Sequence, residues 1–401
     1  MEPVEVAVVG AGQAGLAISY WLAEREIDHV LLDRDRPGSS WHDRWDSFCL
    51  VTPNWTLDLP GFPYQGDDPD GFIPRDAIAD YVAQYRAFLD VPVFESTEVL
   101  NLHRGDDGWT LTTAGGEWLA RAVVVATGAF PFLSVPPVAN SIQPDVLQLH
   151  SQEYRRPSAL PEGGVLVVGG GQSGAQIVDE LVIEGREVWF SIGQSGRGPR
   201  RYRGKDITAW LRDVGFGEMP VTDEMRQRAS IIVSGRDGGK DLNLRTFGRD
   251  GVHLVGRVLA ADQWTLELSD DLEQNVDAAD QVDAQLRGLV DRHIAEHGID
   301  APPADVETID WTPGPTPTRL DLNAEGISTV VWATGYHYDF SWIKADIFDN
   351  RGYPHQRRGV TSKPGLYFIG LNGMHTTGSA LFSGVGADAQ HVVNDIWETL
   401  E

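Results

Sequence analysis

The stretch Val-Ala-Val-Val-Gly10-Ala-Gly12-Gln-Ala-Gly15 decides the fold of this chain. Its aliphatic run predicts a buried parallel strand, and the residues from Gly15 to Arg25 predict the helix that follows. Further along, Val-Leu-Val-Val-Gly169-Gly-Gly171-Gln-Ser-Gly174 repeats the same pattern. Two units of strand, glycine loop and helix predict an α/β chain with two dinucleotide-binding, Rossmann-like domains.

Composition and charge narrow the class of protein. The chain has 401 residues, which is enough for two domains, and its formal net charge is -27. Nucleic-acid binding depends on neutralising phosphates with Lys and Arg, so this charge argues against nucleic acids and anionic membranes as partners. The single cysteine, Cys49, excludes a disulfide or a redox-active cysteine pair within these residues. With no long apolar run and no basic leader before the first strand, we expect a cytoplasmic protein.

The glycines of the first loop have separate tasks. Gly10 permits the tight turn, Gly12 lets the backbone approach a pyrophosphate, and Gly15 lets the helix pack closely on the strand. The N–H groups at the start of the helix, next to Gln13 and Ala14, favour a phosphate. Asp33 ends the next strand, where its carboxylate accepts the ribose hydroxyls of an adenosine and repels a 2′-phosphate. The first site is therefore predicted to bind FAD or NAD rather than NADP.

The second loop lacks that carboxylate. Its next strand ends in Val188-Trp-Phe-Ser191, and three arginines follow: Arg197, Arg200 and Arg201. A hydroxyl and planar guanidinium groups suit a 2′-phosphate, so the second site is predicted to bind NADP(H). The loop residues predicted to contact it are Gly169, Gly171, Gln172, Ser173 and Gly174. A solvated basic loop is the alternative interpretation of the arginines.

Other elements follow from periodicity and turn residues. Helices are predicted over 75–89, 272–297 and 387–400, and strands over 123–128, 330–335 and 366–370. Residues 97–119 predict a hairpin, and the proline-rich residues 131–161 predict a loop that makes the first crossing between domains.

Several motifs carry a resemblance to a known family. They are Gly38-Ser-Ser-Trp41, Ala126-Thr-Gly128, Trp332-Ala-Thr-Gly-Tyr336, Arg200-Arg-Tyr-Arg-Gly-Lys-Asp206 and Ser383-Gly-Val-Gly-Ala-Asp388. With them, nearly the whole chain resembles the class B flavin-dependent monooxygenases, which include flavin-containing monooxygenases, the YUCCA type, N-hydroxylases and Baeyer–Villiger enzymes. The family hallmark is Phe-x-Gly-x-x-x-His-x-x-x-Tyr or -Trp. Here His150-Ser-Gln-Glu-Tyr154 keeps its histidine and aromatic, whereas Pro144 and Val146 stand at the Phe and Gly positions.

The resemblance implies a domain order and further site residues. An FAD domain of residues 1–155 and 315–401 would be interrupted by an NADPH domain of residues 156–314. His150 would link the domains while NADP is bound. Asn54 is the candidate catalytic side chain near the flavin, with turn formation after proline as the alternative. Further cofactor contacts are expected from Arg34, Ser40, Trp41, Thr127, Gly128, Ala333, Thr334, Gly335 and Gly386. No metal is expected.

The reaction is also implied by the resemblance. NADPH would reduce FAD by hydride transfer, and the reduced flavin would react with O₂ to give a C4a-(hydro)peroxyflavin. This species would oxygenate a small organic substrate at nitrogen, sulfur or a keto carbon. The alternatives are Baeyer–Villiger-type carbonyl oxygenation, an electron-transfer reductase, and a protein that binds both dinucleotides without turnover. The sequence does not fix the substrate or decide between a monomer and a homo-oligomer.

Overall fold

The computed structural model describes residues 4–128, 132–222 and 231–401, so residue 131 of the predicted crossing loop lies outside the described residues. The strands of the two large sheets are, in chain order, β1 (Val4–Val9), β2 (His29–Leu32), β3 (Val93–Phe94), β4 (Val99–Arg104), β5 (Trp109–Thr113), β6 (Gly116–Val125), β7 (Leu147–His150), β8 (Gly164–Val168), β9 (Val188–Ser191), β10 (His253–Val255), β11 (Ile327–Trp332), β12 (Ile343–Lys344), β13 (Gln356–Arg357), β14 (Val360–Thr361) and β15 (Leu366–Phe368).

Helices alternate with these strands along the chain. They are α1 (Gln13–Glu24), α2 (Ser39–His42), α3 (Arg75–Leu89), α4 (Gln172–Ile183), α5 (Ile207–Asp213), α6 (Leu244–Arg249), α7 (Leu272–His297) and α8 (Val385–Leu400). Short antiparallel ribbons complete the described fold; their strands are Asp58–Leu59 with Phe62–Pro63, Phe132–Leu133 with Tyr336–His337, Arg201–Tyr202 with Lys205–Asp206, Val233–Ser234 with Lys240–Asp241, and Val258–Asp262 with Thr265–Leu268 and Arg319–Asp321.

The first sheet has β1 between β2 and β6, and both of these pairs are parallel. Its main order is β12-β4-β5-β6-β1-β2-β3, and β15 also pairs with β6 in parallel. The aliphatic run of β1 is buried, as its unbroken hydrophobic sequence predicts for a strand covered on both faces. Helix α8 returns to this domain and packs on α1, where the Trp21 indole N–H donates to the Gly386 carbonyl at 3.0 Å.

The second sheet has the order β7-β11-β8-β9-β10, and all its pairs are parallel. Because β7 and β11 belong to it, the crossings between domains do not follow the predicted boundaries at 155/156 and 314/315. The second domain begins before β7 and ends only after β11. The prolines of residues 131–161 hid the four-residue strand β7 from sequence reasoning, since its only signal is the short alternation Leu-Gln-Leu-His.

Two predicted helices have the predicted bounds, namely α3 and α7. Both are long enough for an apolar stripe to repeat over several turns, which makes their periodicity unambiguous. The last helix, α8, begins two residues before its predicted start at Ala387. Within the described residues, no helix combines the length and apolar character that a membrane crossing needs.

Candidate cofactor sites

The backbone of the first glycine loop is packed so closely that two of its three glycines have no room for a side chain. Gly10 has a φ of +105°, and a Cβ on it would lie 2.5 Å from the Ala126 carbonyl oxygen. A Cβ on Gly15 would lie 1.9 Å from the Gly10 carbonyl oxygen, so neither position admits a side chain. A Cβ on Gly12, in contrast, would have no heavy atom within 4 Å. Open space beside the start of α1 is what a pyrophosphate needs, so the loop fits a dinucleotide.

The second loop repeats this construction. Gly169 has a φ of +119°, and a Cβ on it would lie 2.3 Å from the Ala333 carbonyl oxygen. A Cβ on Gly174 would lie 2.0 Å from the Gly169 carbonyl oxygen, whereas one on Gly171 would have nothing within 4 Å. The same three positions are therefore closed, open and closed in both loops, and the second loop also fits a dinucleotide.

A glutamine in each loop fixes the segment that covers it. The Gln13 amide donates to the Ala380 carbonyl at 2.7 Å, just before α8. The Gln172 amide donates to the Val233 carbonyl at 2.5 Å and accepts from the Val233 N–H at 3.2 Å. Of the residues that follow these glutamines, Ala14 is buried and Ser173 is half-buried.

Asp33 lies at the ribose end of the first loop. Its carboxylate accepts the Ala11 N–H at 2.5 Å and the Asp35 N–H at 2.9 Å, which ties β2 to the glycine turn. Burial raises the pKa of Asp33, and these two backbone hydrogen bonds oppose that rise. Arg34 is exposed and pairs with Asp35 at 3.4 Å. The carboxylate is thus held at the place where an adenosine ribose would meet it.

The register of the strands shows which residue takes that place in the second loop. Val9 pairs with Leu32 in the first domain, and Val168 pairs with Ser191 in the second. The counterpart of Asp33 is therefore Ile192, and Ser191 is the counterpart of Leu32.

Ser191 lies one position too early for the predicted phosphate contact. The residue is buried, and its hydroxyl donates to the Gly256 carbonyl at 2.9 Å. The second loop therefore has no carboxylate at the position of Asp33, because Ile192 is buried and has no acceptor for a ribose hydroxyl.

Two of the three arginines predicted to bind a 2′-phosphate already form ion pairs within the protein. Arg200 is only 1% exposed, and its guanidinium donates to Asp206 and to the Val51 carbonyl, both at 2.6 Å. Arg197 pairs with Asp280 at 2.6 Å. In this structure these side chains hold the second domain together and join it to the first, and their binding to a 2′-phosphate stays a prediction.

Arg201 is the exception among the three arginines. It is exposed and donates to the Gly238 carbonyl at 3.1 Å. Sequence reasoning missed another arginine, Arg257, whose side chain contacts Gly193 directly after Ile192. The signal was its place two residues after the end of β10, at the carboxyl edge of the second sheet, where ligands of open α/β sheets bind.

The two Ala-Thr-Gly segments lie beside the loops. Ala126 donates its N–H to the Val9 carbonyl and Ala333 donates to the Val168 carbonyl, both at 2.8 Å. The side chain of Thr127 is half-buried, whereas Thr334 donates its hydroxyl to the Ser134 carbonyl. A Cβ on either following glycine, Gly128 or Gly335, would have nothing within 4 Å.

His150 lies at the end of β7 and contacts the second of these segments. Its Nε2 lies 3.0 Å from the Gly335 carbonyl, and its Nδ1 accepts the Gln152 N–H at 3.2 Å. Burial lowers the pKa of His150, which favours the neutral imidazole with the proton on Nε2. Tyr154, from the same motif, donates its hydroxyl to Glu180 of α4 at 2.9 Å.

Ser40 and Trp41 lie in the short helix α2. Ser40 is exposed, whereas Trp41 stacks on Phe382 with ring centroids 5.5 Å apart. Gly386 lies in the first turn of α8, and a Cβ on it would lie 2.9 Å from Pro60. These contacts bring α2 and the start of α8 together on the first domain.

Asn54 has a structural role in its loop. The side chain is buried, with 2% exposed. Its amide donates to the Asp68 carbonyl at 2.8 Å, and its side-chain oxygen accepts the Ile73 N–H at 2.7 Å. Both ends of the side-chain amide therefore hold residues 64–73 in place. In this geometry neither polar atom of Asn54 is free for the predicted catalytic role.

Two cavities formed by described residues differ in position. The larger, of about 720 Å³, lies between the hairpin β13–β14 and α8, where none of the loop residues lines it. The smaller, of about 340 Å³, lies between residues 46–49 and 71–74 of the first domain and residues 235–238 of the second. Among the described residues, no group of three or more His, Cys, Asp or Glu has the arrangement of a metal site.

Comparison with known proteins places the chain in a family. The family description Pyridine nucleotide-disulphide oxidoreductase matches residues 7–214, and the chain belongs to this family. It is 35% identical to a CzcO-like oxidoreductase from Geobacillus kaustophilus (strain HTA426), over 98% of each chain. It is 26% identical to indole-3-pyruvate monooxygenase YUCCA4 from Oryza sativa subsp. japonica, over 98% of this chain and 87% of that protein.

A solved structure agrees with the fold. A flavin-containing monooxygenase from Stenotrophomonas maltophilia is similar with a TM-score of 0.70 at 20% identity, and all of both chains is covered. The predicted fold class and the resemblance to class B flavin monooxygenases are confirmed. The protein is an oxidoreductase enzyme of the matched family, and its sequence and fold resemble those of the flavin-dependent monooxygenases.

Proposed function

We propose that the protein is an NADPH- and O₂-dependent monooxygenase that inserts one oxygen atom into a small organic substrate at nitrogen, sulfur or a keto carbon. One observation carries the proposal: two loops share the same cradle but differ at the ribose end. Asp33 gives the first loop a carboxylate for an unphosphorylated adenosine ribose, and Ile192 gives the second loop none. The first loop then holds FAD, and the second exchanges NADPH with solution.

Each part of the chain has a task in this scheme. The start of α1 offers backbone N–H groups and a positive helix end to the FAD pyrophosphate, and Gly12 leaves the room for it. The start of α4 and Gly171 do the same for NADPH. When bound, FAD accepts a hydride from NADPH and activates O₂. The protein orients the two dinucleotides and keeps water away.

Cysteine chemistry within these residues is not part of the proposal, although the family name includes disulphide oxidoreductases. Cys49 is the single cysteine of the chain, and it is buried. Burial raises the pKa of its thiol to about 11, so the reactive thiolate is scarce at neutral pH. Electrons that reach the flavin must therefore leave to another acceptor, and O₂ is the acceptor that the monooxygenase relatives suggest.

The smaller cavity is our candidate for the substrate. Its volume of about 340 Å³ suits a small molecule, and both domains contribute to it. Phe48 and Phe72 supply apolar surface, and Arg236 and Asp237 supply charge at the second-domain side. A cavity between the domains is where a substrate could meet a flavin held by one domain and reduced from the other.

The test uses FAD-loaded protein and a panel of small amines, thioethers, α-keto acids and ketones. We expect substrate-stimulated NADPH oxidation that stops without O₂, and a product heavier by one oxygen atom. The Gly171→Val variant serves as the control that keeps FAD and loses NADPH. NADPH oxidation that continues without O₂ when an electron-transfer protein is added, with no oxygenated product, would contradict the proposal and favour a reductase.

A further inference from the structure

The place where a 2′-phosphate would lie is defined by the residues after β9. Ile192 occupies the position of Asp33, and Gly193 follows it. A Cβ on Gly193 would lie 2.8 Å from the Cδ of Arg257 and 3.0 Å from its Cγ. The stem of Arg257 thus lies across the ribose end of the second loop, and glycine at position 193 is what allows this contact.

The guanidinium of Arg257 is held in place, and part of its hydrogen-bonding edge remains available. Its Nε donates to a carboxylate oxygen of Asp271 at 3.1 Å, and its Nη2 lies 2.9 Å from the same oxygen in an ion pair. The Arg257 backbone N–H donates to the Ser269 hydroxyl at 2.7 Å, and that hydroxyl donates in turn to Asp271. The side chain is 60% exposed, and within the described part of the chain its Nη1 has no hydrogen-bond partner. A fixed guanidinium with a free edge suits a phosphate.

The surroundings of Arg257 carry charges of both signs. Helix α7 begins next to Asp271, and the Asn275 amide of its first turn donates to the Ile192 carbonyl at 3.4 Å. The positive end of this helix therefore lies at the same edge of the sheet and favours an anion there. Asp270 and Glu273 are exposed nearby and oppose it, and Arg257 itself neutralises Asp271.

The arginines that follow β9 in sequence are less well placed than Arg257 to bind a 2′-phosphate. Arg200 is buried against Asp206, and Arg197 is paired with Asp280 and Asp283. Arg201 is exposed, but its guanidinium donates to carbonyl groups of the ribbon at residues 238 and 239. Arg257 is the arginine that contacts the residue directly after the Asp33 counterpart.

We propose that Arg257, held in place by Asp271, recognises the 2′-phosphate of NADPH and sets the preference for NADPH over NADH. The inference rests on the proposed assignment of the second loop to NADPH. In this role Asp271 is a positioning residue: it orients the guanidinium and also competes with the phosphate for it.

The test measures binding of 2′,5′-ADP and 5′-AMP to the FAD-loaded protein by calorimetry. The two probes differ only in the 2′-phosphate, so their affinity ratio isolates that contact. We expect Arg257→Ala to weaken 2′,5′-ADP by about tenfold or more while 5′-AMP changes by less than about twofold. Arg257→Lys retains the charge without the fork and should fall between wild type and Arg257→Ala. Asp271→Asn removes the competing carboxylate and should raise the ratio.

Arg249→Ala is the matched control, since Arg249 is an exposed arginine on the same domain that also pairs with an aspartate, Asp250. Its affinity ratio should stay within about twofold of wild type. An unchanged ratio in Arg257→Ala, or a tenfold loss in Arg249→Ala, would overturn the assignment to Arg257 alone. If wild-type protein shows no preference for 2′,5′-ADP, the NADPH assignment of the second loop fails as well, so the two failures are distinguishable.

Discussion

The two dinucleotide units have nearly the same backbone and different ribose ends. In both, the first glycine faces the carbonyl of an Ala-Thr-Gly segment and the third faces the carbonyl of the first. After the second strand, one unit has the carboxylate of Asp33 and the other has the buried Ile192. Close backbone contacts therefore fix the shape of both phosphate-binding loops, whereas a single side-chain position distinguishes the nucleotides.

The units also differ in how they are covered. Gln13 anchors the segment before α8, which belongs to the same domain, while Gln172 anchors the ribbon that contains Val233. That ribbon is adjacent to residues 235–238, which line the cavity between the domains. The cover of the second loop is therefore tied to the candidate substrate cavity, and the cover of the first is not.

The comparison predicts its largest effect at the open glycines. Valine at position 12 or 171 would fill the space where we expect a pyrophosphate, without a collision inside the protein. Gly12→Val should yield a folded, colourless protein that does not retain FAD, whereas Gly171→Val should retain FAD and lose NADPH binding. Absorbance spectra, NADPH titration and circular dichroism check both variants. A yellow Gly12→Val protein would show that the first loop does not hold the flavin.

The next effect concerns stability and separates Arg200 from its predicted role. Removing this guanidinium leaves the Asp206 carboxylate without its buried partner and the Val51 carbonyl without its donor. Breaking a buried pair from one side costs about 3–5 kcal/mol, so Arg200→Ala should lower the free energy of unfolding by about that amount.

Denaturant unfolding measures the effect of Arg200→Ala, with Arg201→Ala as an exposed control expected to change it by less than about 1 kcal/mol. Among molecules that remain folded, the ratio of NADPH to NADH affinity should be unchanged. A loss of NADPH preference with normal stability would restore the original interpretation of Arg200.

A smaller effect is expected from converting one ribose end into the other. Ile192→Asp places a carboxylate where the first unit has Asp33, so it should repel the 2′-phosphate and accept ribose hydroxyls. We expect the NADPH-to-NADH affinity ratio to fall by about tenfold or more. Ile192→Asn is the matched control, because it adds polarity without charge. If the two variants give the same ratio, the equivalence of Ile192 and Asp33 is structural only.

The smallest effect is a pH dependence of FAD retention. An ionised Asp33 accepts the ribose hydroxyls, and protonation removes that acceptor. Burial raises the pKa of Asp33 above that of an ordinary aspartate, so FAD release should begin at a higher pH as the solution is acidified. Flavin fluorescence during a pH titration measures the release. In Asp33→Asn the same part of the curve should be flat, and an unchanged curve would assign the dependence to another group.

The correct predictions came from local, repeated signals. The glycine loops, α3 and α7 each combine a periodic apolar pattern with clear end residues, and such patterns depend only on neighbours in sequence. The sequence could not indicate contacts between residues that are distant in the chain. Nothing near Arg200 in sequence indicates that its guanidinium donates to the Val51 carbonyl of the other domain, and nothing near Asn54 indicates that it binds the backbone of residues 68 and 73.

The sequence by itself determined two strand–loop–helix units, their order, the carboxylate at Asp33 and the absence of a cysteine pair, because each is a matter of residue type and short spacing. The tertiary structure decided which arginine side chains remain available for a phosphate and where the chain crosses from one domain to the other. It also placed Arg257 against Gly193. These depend on strand register and on burial. Register sets which side chains meet across a sheet, and burial consumes the hydrogen bonds of any charged group that it encloses.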